Sequence, residues 1–109
     1  MKVAIIGSRS IIINNLGNYL PKNTTEIVSG GAKGVDTCAR RYAIAHNIKL
    51  TEFLPDYKIF GRIAPLVRNR KIVDASDIII AFWDNSSKGT LYTINYAYKK
   101  GKKVKIIQK

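Results

Sequence analysis

At 109 residues, with 46% hydrophobic and 24% charged residues, the chain has the size and composition of one globular domain with one core, not of a disordered segment. No stretch approaches the roughly 20 apolar residues of a membrane span, and the lone Cys38 and lone His46 exclude an internal disulfide and a cysteine metal cluster and argue against a zinc site. Nineteen Lys and Arg against seven Asp and Glu give a formal charge of +12, which favours polyanions and phosphorylated ligands as partners.

The chain runs from Met1 into the apolar KVAII without the longer apolar region and cleavage site of a signal peptide, so a cytoplasmic location is expected. Lys2–Ile6 reads as a short buried strand, β-branched and ended by Gly7-Ser8. A helix is predicted over Ile12–Leu20, stopped by Pro21. Glu26–Ser29 is a second strand, ended by Gly30-Gly31. The next helix runs from Gly34 to His46, with Val35, Ala39, Tyr42 and Ala43 on its inner face and Asn47 closing it. Lys49–Leu54 is a third strand, and Pro55–Ile63 an irregular segment long enough for a lid. Pro65 suits the first turn of a helix that turns Leu66, Ile72 and Val73 inward.

Asp77–Trp83 is the most hydrophobic strand, buried on both faces. After the polar loop Asp84–Lys88, a helix over Thr90–Lys100 carries Leu91, Ile94, Ala97 and Tyr98 at helical spacing and ends at Gly101. Tyr92 and Tyr96 fall off that face and are candidates for a contact in a homo-oligomer. Lys103–Ile107 is a fifth strand. Alternating strands and helices imply parallel strands with helices on both faces of the sheet, a Rossmann-like α/β architecture.

In such sheets ligands bind beyond the C-terminal strand ends, where strand order reverses. Three strand ends carry the same chemistry: Gly7-Ser8-Arg9 after the first, Ser29-Gly30-Gly31-Ala32-Lys33-Gly34-Val35-Asp36 after the second, and Ser86-Ser87-Lys88-Gly89-Thr90 after the fourth. Glycine lets backbone N–H groups approach a ligand, and a helix start adds unpaired N–H groups and a positive dipole end. Lys and Arg add countercharge; Ser and Thr add neutral hydrogen bonds. Any one of these loops serves equally well as a plain strand-to-helix turn. Together they predict an anion held between Gly30–Gly34 and Ser87–Thr90. Neither the P-loop spacing nor a dinucleotide fingerprint after the first strand is present, which argues against a P-loop NTPase and a standard NAD enzyme. No cofactor is expected.

The four segments GSR, SGGAKGVD, Arg68-Asn69-Arg70 and Ser87-Lys88-Gly89-Thr90 resemble the SLOG superfamily of Rossmann-like proteins, most closely its small YspA-like members; similar stretches occur in the core of DprA. The resemblance implies a three-layer sandwich with a five-stranded parallel sheet in the order 3-2-1-4-5. It also implies a pocket for a nucleotide or nucleotide-derived molecule. The LOG phosphoribohydrolases, a related group, share Arg68 and the Gly89-Thr90 turn. Where their motif has a glutamate this chain has Thr93, which cannot act as a carboxylate, so glycosidic cleavage is not expected. Asp36 or Asp84 is the remaining candidate for that task.

The candidate ligand-binding residues are therefore Gly7, Ser8, Arg9, Ser29, Gly30, Gly31, Lys33, Gly34, Asp36, Arg68, Asn69, Ser87, Gly89 and Thr90. Arg68 can clamp a phosphate bidentately or stand as an ordinary helix cation. Asn69 binds the ligand or ties adjacent loops. Asp36 accepts from a ribose hydroxyl or compensates the helix dipole. Cys38 reads as a small core residue and His46 as a surface residue; Phe82 and Trp83 divide between core and pocket wall. Lys99, Lys100, Lys102, Lys103, Lys105 and Lys109 crowd the last eleven residues, as a solubilising surface or as a contact for nucleic acid. Binding of a nucleotide-type ligand leads these readings, followed by hydrolysis of a nucleotide or ADP-ribose-like substrate and by DprA-like DNA binding.

Overall fold

The β-branched runs become one parallel sheet. The computed structural model describes residues 1–109 and orders the strands β3-β2-β1-β4-β5. They are β1 (Lys2–Gly7), β2 (Glu26–Ser29), β3 (Lys49–Glu52), β4 (Ile78–Trp83) and β5 (Lys103–Gln108). The helices are α1 (Val35–Ala45), α2 (Tyr57–Phe60), α3 (Ala64–Asp74) and α4 (Lys88–Lys99). β1 lies at the centre, with Val3 opposite Ile27 of β2 and Ile78 of β4.

Alternation along each strand sends successive side chains to opposite faces, so the apolar interior of the domain forms as two layers, one on each side of the sheet. Val3, Ile5, Ile27, Ile80 and Phe82 meet Val35, Ala39 and Ala43 of α1 on one face. Ala4, Ile6, Val28, Ile79 and Ala81 meet Ile72 and Val73 of α3 and Ile94 and Ala97 of α4 on the other. Each buried Val or Ile contributes about 1.5–3 kcal/mol relative to exposure. This three-layer Rossmann-like arrangement and its strand order agree with the sequence reading. No helix is long and apolar enough to cross a membrane.

Several local expectations fail for identifiable reasons. Ile12–Leu20 is not a helix; only one 3-10 turn forms, at Leu16–Tyr19. Ile11 and Ile13 are buried while Ile12 is 74% exposed, a period of two that fits extended chain, and Asn14, Asn15, Gly17 and Asn18 are poor helix formers. The extended stretch is tied to α1 where Ile13 N–H donates to Cys38 Sγ at 3.2 Å. The third strand ends at Glu52 rather than Leu54. Pro55–Ile63 is largely helical, not irregular: Asp56 caps α2 by accepting from Ile59 N–H at 3.2 Å, and a 3-10 turn at Gly61–Ile63 leads into α3.

α3 turns Ala64, Arg68, Ile72 and Val73 inward, leaving Leu66 half-buried. α4 is rotated from its expected face. Thr90, Thr93, Ile94 and Ala97 are buried, whereas Leu91 and Tyr98 are exposed. Its first turns face a polar cavity, and small hydroxyl side chains fit there where leucine and tyrosine do not. Tyr92 and Tyr96 are engaged within the chain: Arg70 Nε donates to Tyr92 Oη at 2.6 Å, and Tyr96 Oη donates to Asp74 at 3.0 Å. These bonds brace α4 against α3.

Candidate functional site

Because the strands are parallel, the ends of β1, β2 and β4 lie side by side. The chain passes from β1 outward to β2 and β3, then returns beyond β1 to β4, so the strand order reverses between β1 and β4. A cavity of about 430 Å³ opens at that point, bounded by the loops after β1 and β4, the start of α1 and the inner face of α3. Close packing shapes its floor. A Cβ on Gly7 would stand 2.6 Å from a Val35 methyl and 2.7 Å from the Phe82 carbonyl oxygen, so β1 and α1 meet there only with glycine. Gly34, at φ 72°, lies so close to the Arg9 backbone that a Cβ would overlap it.

Gly7, Ser8, Arg9, Asp36, Arg68, Asn69, Ser87, Gly89 and Thr90 line this cavity. Gly30, Gly31 and Lys33 line a second one of about 270 Å³, which shares Arg9, Ala32 and Arg68 with the first. Ser29 and Gly34 line neither. Phe82 is buried edge-on against Tyr19, and Trp83 Nε1 donates to the Ser87 carbonyl at 3.0 Å, so neither aromatic forms a cavity wall.

Arg68 links the two cavities. Nε donates to Asn69 Oδ1 at 2.7 Å and Nη1 to the Gly30 carbonyl at 2.6 Å, with the Phe53 carbonyl at 3.5 Å. Nη2 has no protein partner. Burial lowers the Arg68 pKa from its usual range, and the nearby Asp36 carboxylate opposes that shift. For Asp36 the balance is reversed. Burial raises its pKa, while the Ala32 N–H at 3.1 Å and the Arg68 charge pull it back.

The loop after β4 is organised by Asp84, whose Oδ1 accepts from the N–H groups of Ser86 at 2.9 Å and Ser87 at 2.8 Å. These bonds hold its carboxyl below the usual carboxylate range. Ser87 caps α4 by accepting from Thr90 N–H at 3.3 Å. Thr93 lines the cavity but donates to the Gly89 carbonyl of its own helix at 2.9 Å. Two buried hydroxyls, Ser8 and Ser29, close no hydrogen bond. Each lies near enough to a carboxylate, Asp84 and Asp36 respectively, to favour its charged form.

Sequence reasoning missed Ile6, Ser10, Ala32, Pro65, Ile72 and Thr93 as lining residues of the larger cavity and Ala32, Leu54 and Pro55 of the smaller. It weighed Asp84 only as a substitute catalytic carboxylate. The Asp84-Asn85-Ser86 turn was its signal, since aspartate commonly accepts from N–H groups two and three residues on.

A polar cavity at the switch point of a parallel α/β sheet is where Rossmann-like folds generally bind ligands. The model of the YspA, cpYpsA-related SLOG family matches residues 1–60, and the chain belongs to that family. Among solved structures, DNA processing protein A (DprA) from Streptococcus pneumoniae superposes with a TM-score of 0.76 at 23% identity, over 96% of this chain and 49% of that one. The chain thus spans about half of that protein, and the likeness is one of fold. No curated protein matches the chain.

Proposed function

We propose that the protein binds a phosphate-bearing nucleotide or nucleotide-derived ligand across the two strand-end cavities. The observation that carries this reading is Arg68, only 8% exposed yet with Nη2 unpartnered at the junction of the cavities. A guanidinium fixed by two bonds, with Nη2 left over beside the cavities, is preorganised for an anion. Ser8, 4% exposed with its hydroxyl unpaired, adds a second waiting group on the larger cavity. Asp36 and Asp84 supply acceptors for hydroxyl or amino groups. Thermal-shift screening against nucleotides and dinucleotide signals tests the reading. A hit whose stabilisation is lost in Arg68→Ala supports it; the absence of any hit contradicts it.

A second reading, contact with nucleic acid, is favoured by β5. This edge strand carries Lys103 and Lys105 on one face, followed by Lys109, and both Lys105 and Lys109 lie over the Tyr19 ring at 5.9 and 5.7 Å. A basic edge of this kind suits a phosphate backbone and predicts salt-sensitive binding that free nucleotide does not block.

A further inference from the structure

The two cavities differ in charge. Arg9 and Arg68 face the carboxylates Asp36 and Asp84 in the larger one. The smaller is lined by Arg9, Lys33 and Arg68 and by no carboxylate. Glu52 approaches it beside Gly31 but is held by Arg40 through two bonds of 3.0 Å. The glycines of the loop, Gly31 at φ 70° and Gly34 at φ 72°, bend the backbone, and of the N–H groups lining the cavity there those of Gly31 and Lys33 make no hydrogen bond within the protein. Free N–H groups in such a bend are open to an anion, here on either side of the Ala32 N–H, which Asp36 already holds at 3.1 Å.

The start of α4 offers less. Asp84 already accepts from Ser86 and Ser87, and the Ser87 hydroxyl accepts from Thr90. Only Lys88 and Gly89 keep free N–H groups there, beside a carboxylate that its hydrogen bonds keep ionised. An ionised carboxylate repels a phosphate but accepts readily from a sugar hydroxyl or an exocyclic amino group.

We propose that the phosphate group seats in the smaller cavity against Lys33, Arg9, Arg68 and the Gly30–Lys33 backbone, while the sugar and base lie in the larger cavity against Asp36 and Asp84. This orientation rests on the nucleotide reading given above. It assigns the loop after β2, rather than the helix start after β4, to the ligand's negative charge. Arg68 then lies between the two halves of the ligand, and Leu54 and Pro55 form the outer wall of the phosphate seat.

Amide shifts of ¹⁵N-labelled protein titrated with inorganic phosphate test the assignment. Saturable shifts are expected at Gly30, Gly31 and Lys33, with Lys88, Gly89 and Thr90 unmoved. Lys33→Gln, a change on an exposed loop side chain, should weaken phosphate binding roughly three- to tenfold. In parallel, the four common nucleoside 5′-monophosphates and their nucleosides are titrated: the monophosphate that binds should move both sets of amides, its nucleoside only the Lys88–Thr90 set. Phosphate shifts confined to Lys88–Thr90, no saturable phosphate shifts, or an unaltered Lys33→Gln affinity would overturn the orientation. Nucleotide shifts in those cases leave the nucleotide reading standing. If no monophosphate and no phosphate moves either set, both fall.

Discussion

Arg68 Nη1 donates to the Gly30 carbonyl at 2.6 Å, joining α3 to the end of β2 across 38 positions of sequence. The bond is possible because Gly30 has no side chain, since a Cβ there would overlap the guanidinium and come within 3.0 Å of Asp36 Oδ2. One missing methyl therefore sets the position of the cavity's central cation.

Gly30→Ala should push Arg68 out of place while leaving the sheet intact. Ligand affinity is expected to fall about tenfold, the effect of losing one charge-assisted hydrogen bond. Calorimetry with the nucleotide found by screening measures the loss, and circular dichroism verifies the fold. Wild-type affinity in this variant would mean that the Arg68 position does not matter to binding.

Asp36 makes stability depend on pH. Burial raises its folded pKa above the ordinary 3.8, so between those two values the folded chain binds more protons than the unfolded one. Stability contributed by the neutral form is full below 3.8 and is lost as pH rises through the raised folded value. Asp36→Asn keeps an acceptor for the Ala32 N–H but cannot ionise. Its stability relative to wild type should rise from pH 3 to pH 7, as read by urea denaturation at each pH. A relative stability that falls over that range would show that Arg68 outweighs desolvation.

The layers of this fold were legible in the sequence because β-branched runs and glycine-ended strands are local signals. The segments misread were those in which tertiary contacts decide. Ile11 and Ile13 follow a two-residue period into the core, yet they sit in a stretch that also fits a helical spacing. α4 turns its threonines inward because a cavity lies beneath it, and that cavity is made by loops far away in sequence. The same distance hid the difference between the two cavities. Lys33, Arg9 and Arg68 come together only through the β1–β2 pairing and the α3 packing, whereas the Asp84 turn was local and readable.

Thr93 predicts the absence of glycosidic cleavage. Its hydroxyl donates to Gly89 within the helix and offers no carboxylate to an oxocarbenium-like charge. Incubation with nucleoside monophosphates, followed by chromatography, should reveal no free base at enzyme-like turnover. Release that Arg68→Ala abolishes would point to another carboxylate, with Asp36 the first to replace.

The basic edge strand can be separated from the cavities. Replacing Lys103, Lys105 and Lys109 together by Gln should lower DNA affinity and reduce the salt slope by about 0.9 for each duplex phosphate no longer neutralised. Lys102 is left in place because its Nζ donates to the Ser76 carbonyl at 2.8 Å. Fluorescence anisotropy across a salt series reads both quantities. An unchanged slope would remove β5 from any DNA contact.

The most direct measurement is calorimetric titration of wild type and Arg68→Ala with the nucleotide that stabilises the protein best. A charge-assisted hydrogen bond contributes about 1.5–3 kcal/mol, so the variant should bind on the order of tenfold or more weakly. The triple lysine variant of β5, whose replaced residues line neither cavity, should stay close to wild type at moderate salt, where exposed charges are screened. Full affinity in Arg68→Ala together with lost affinity in the β5 variant would contradict a ligand site centred on Arg68.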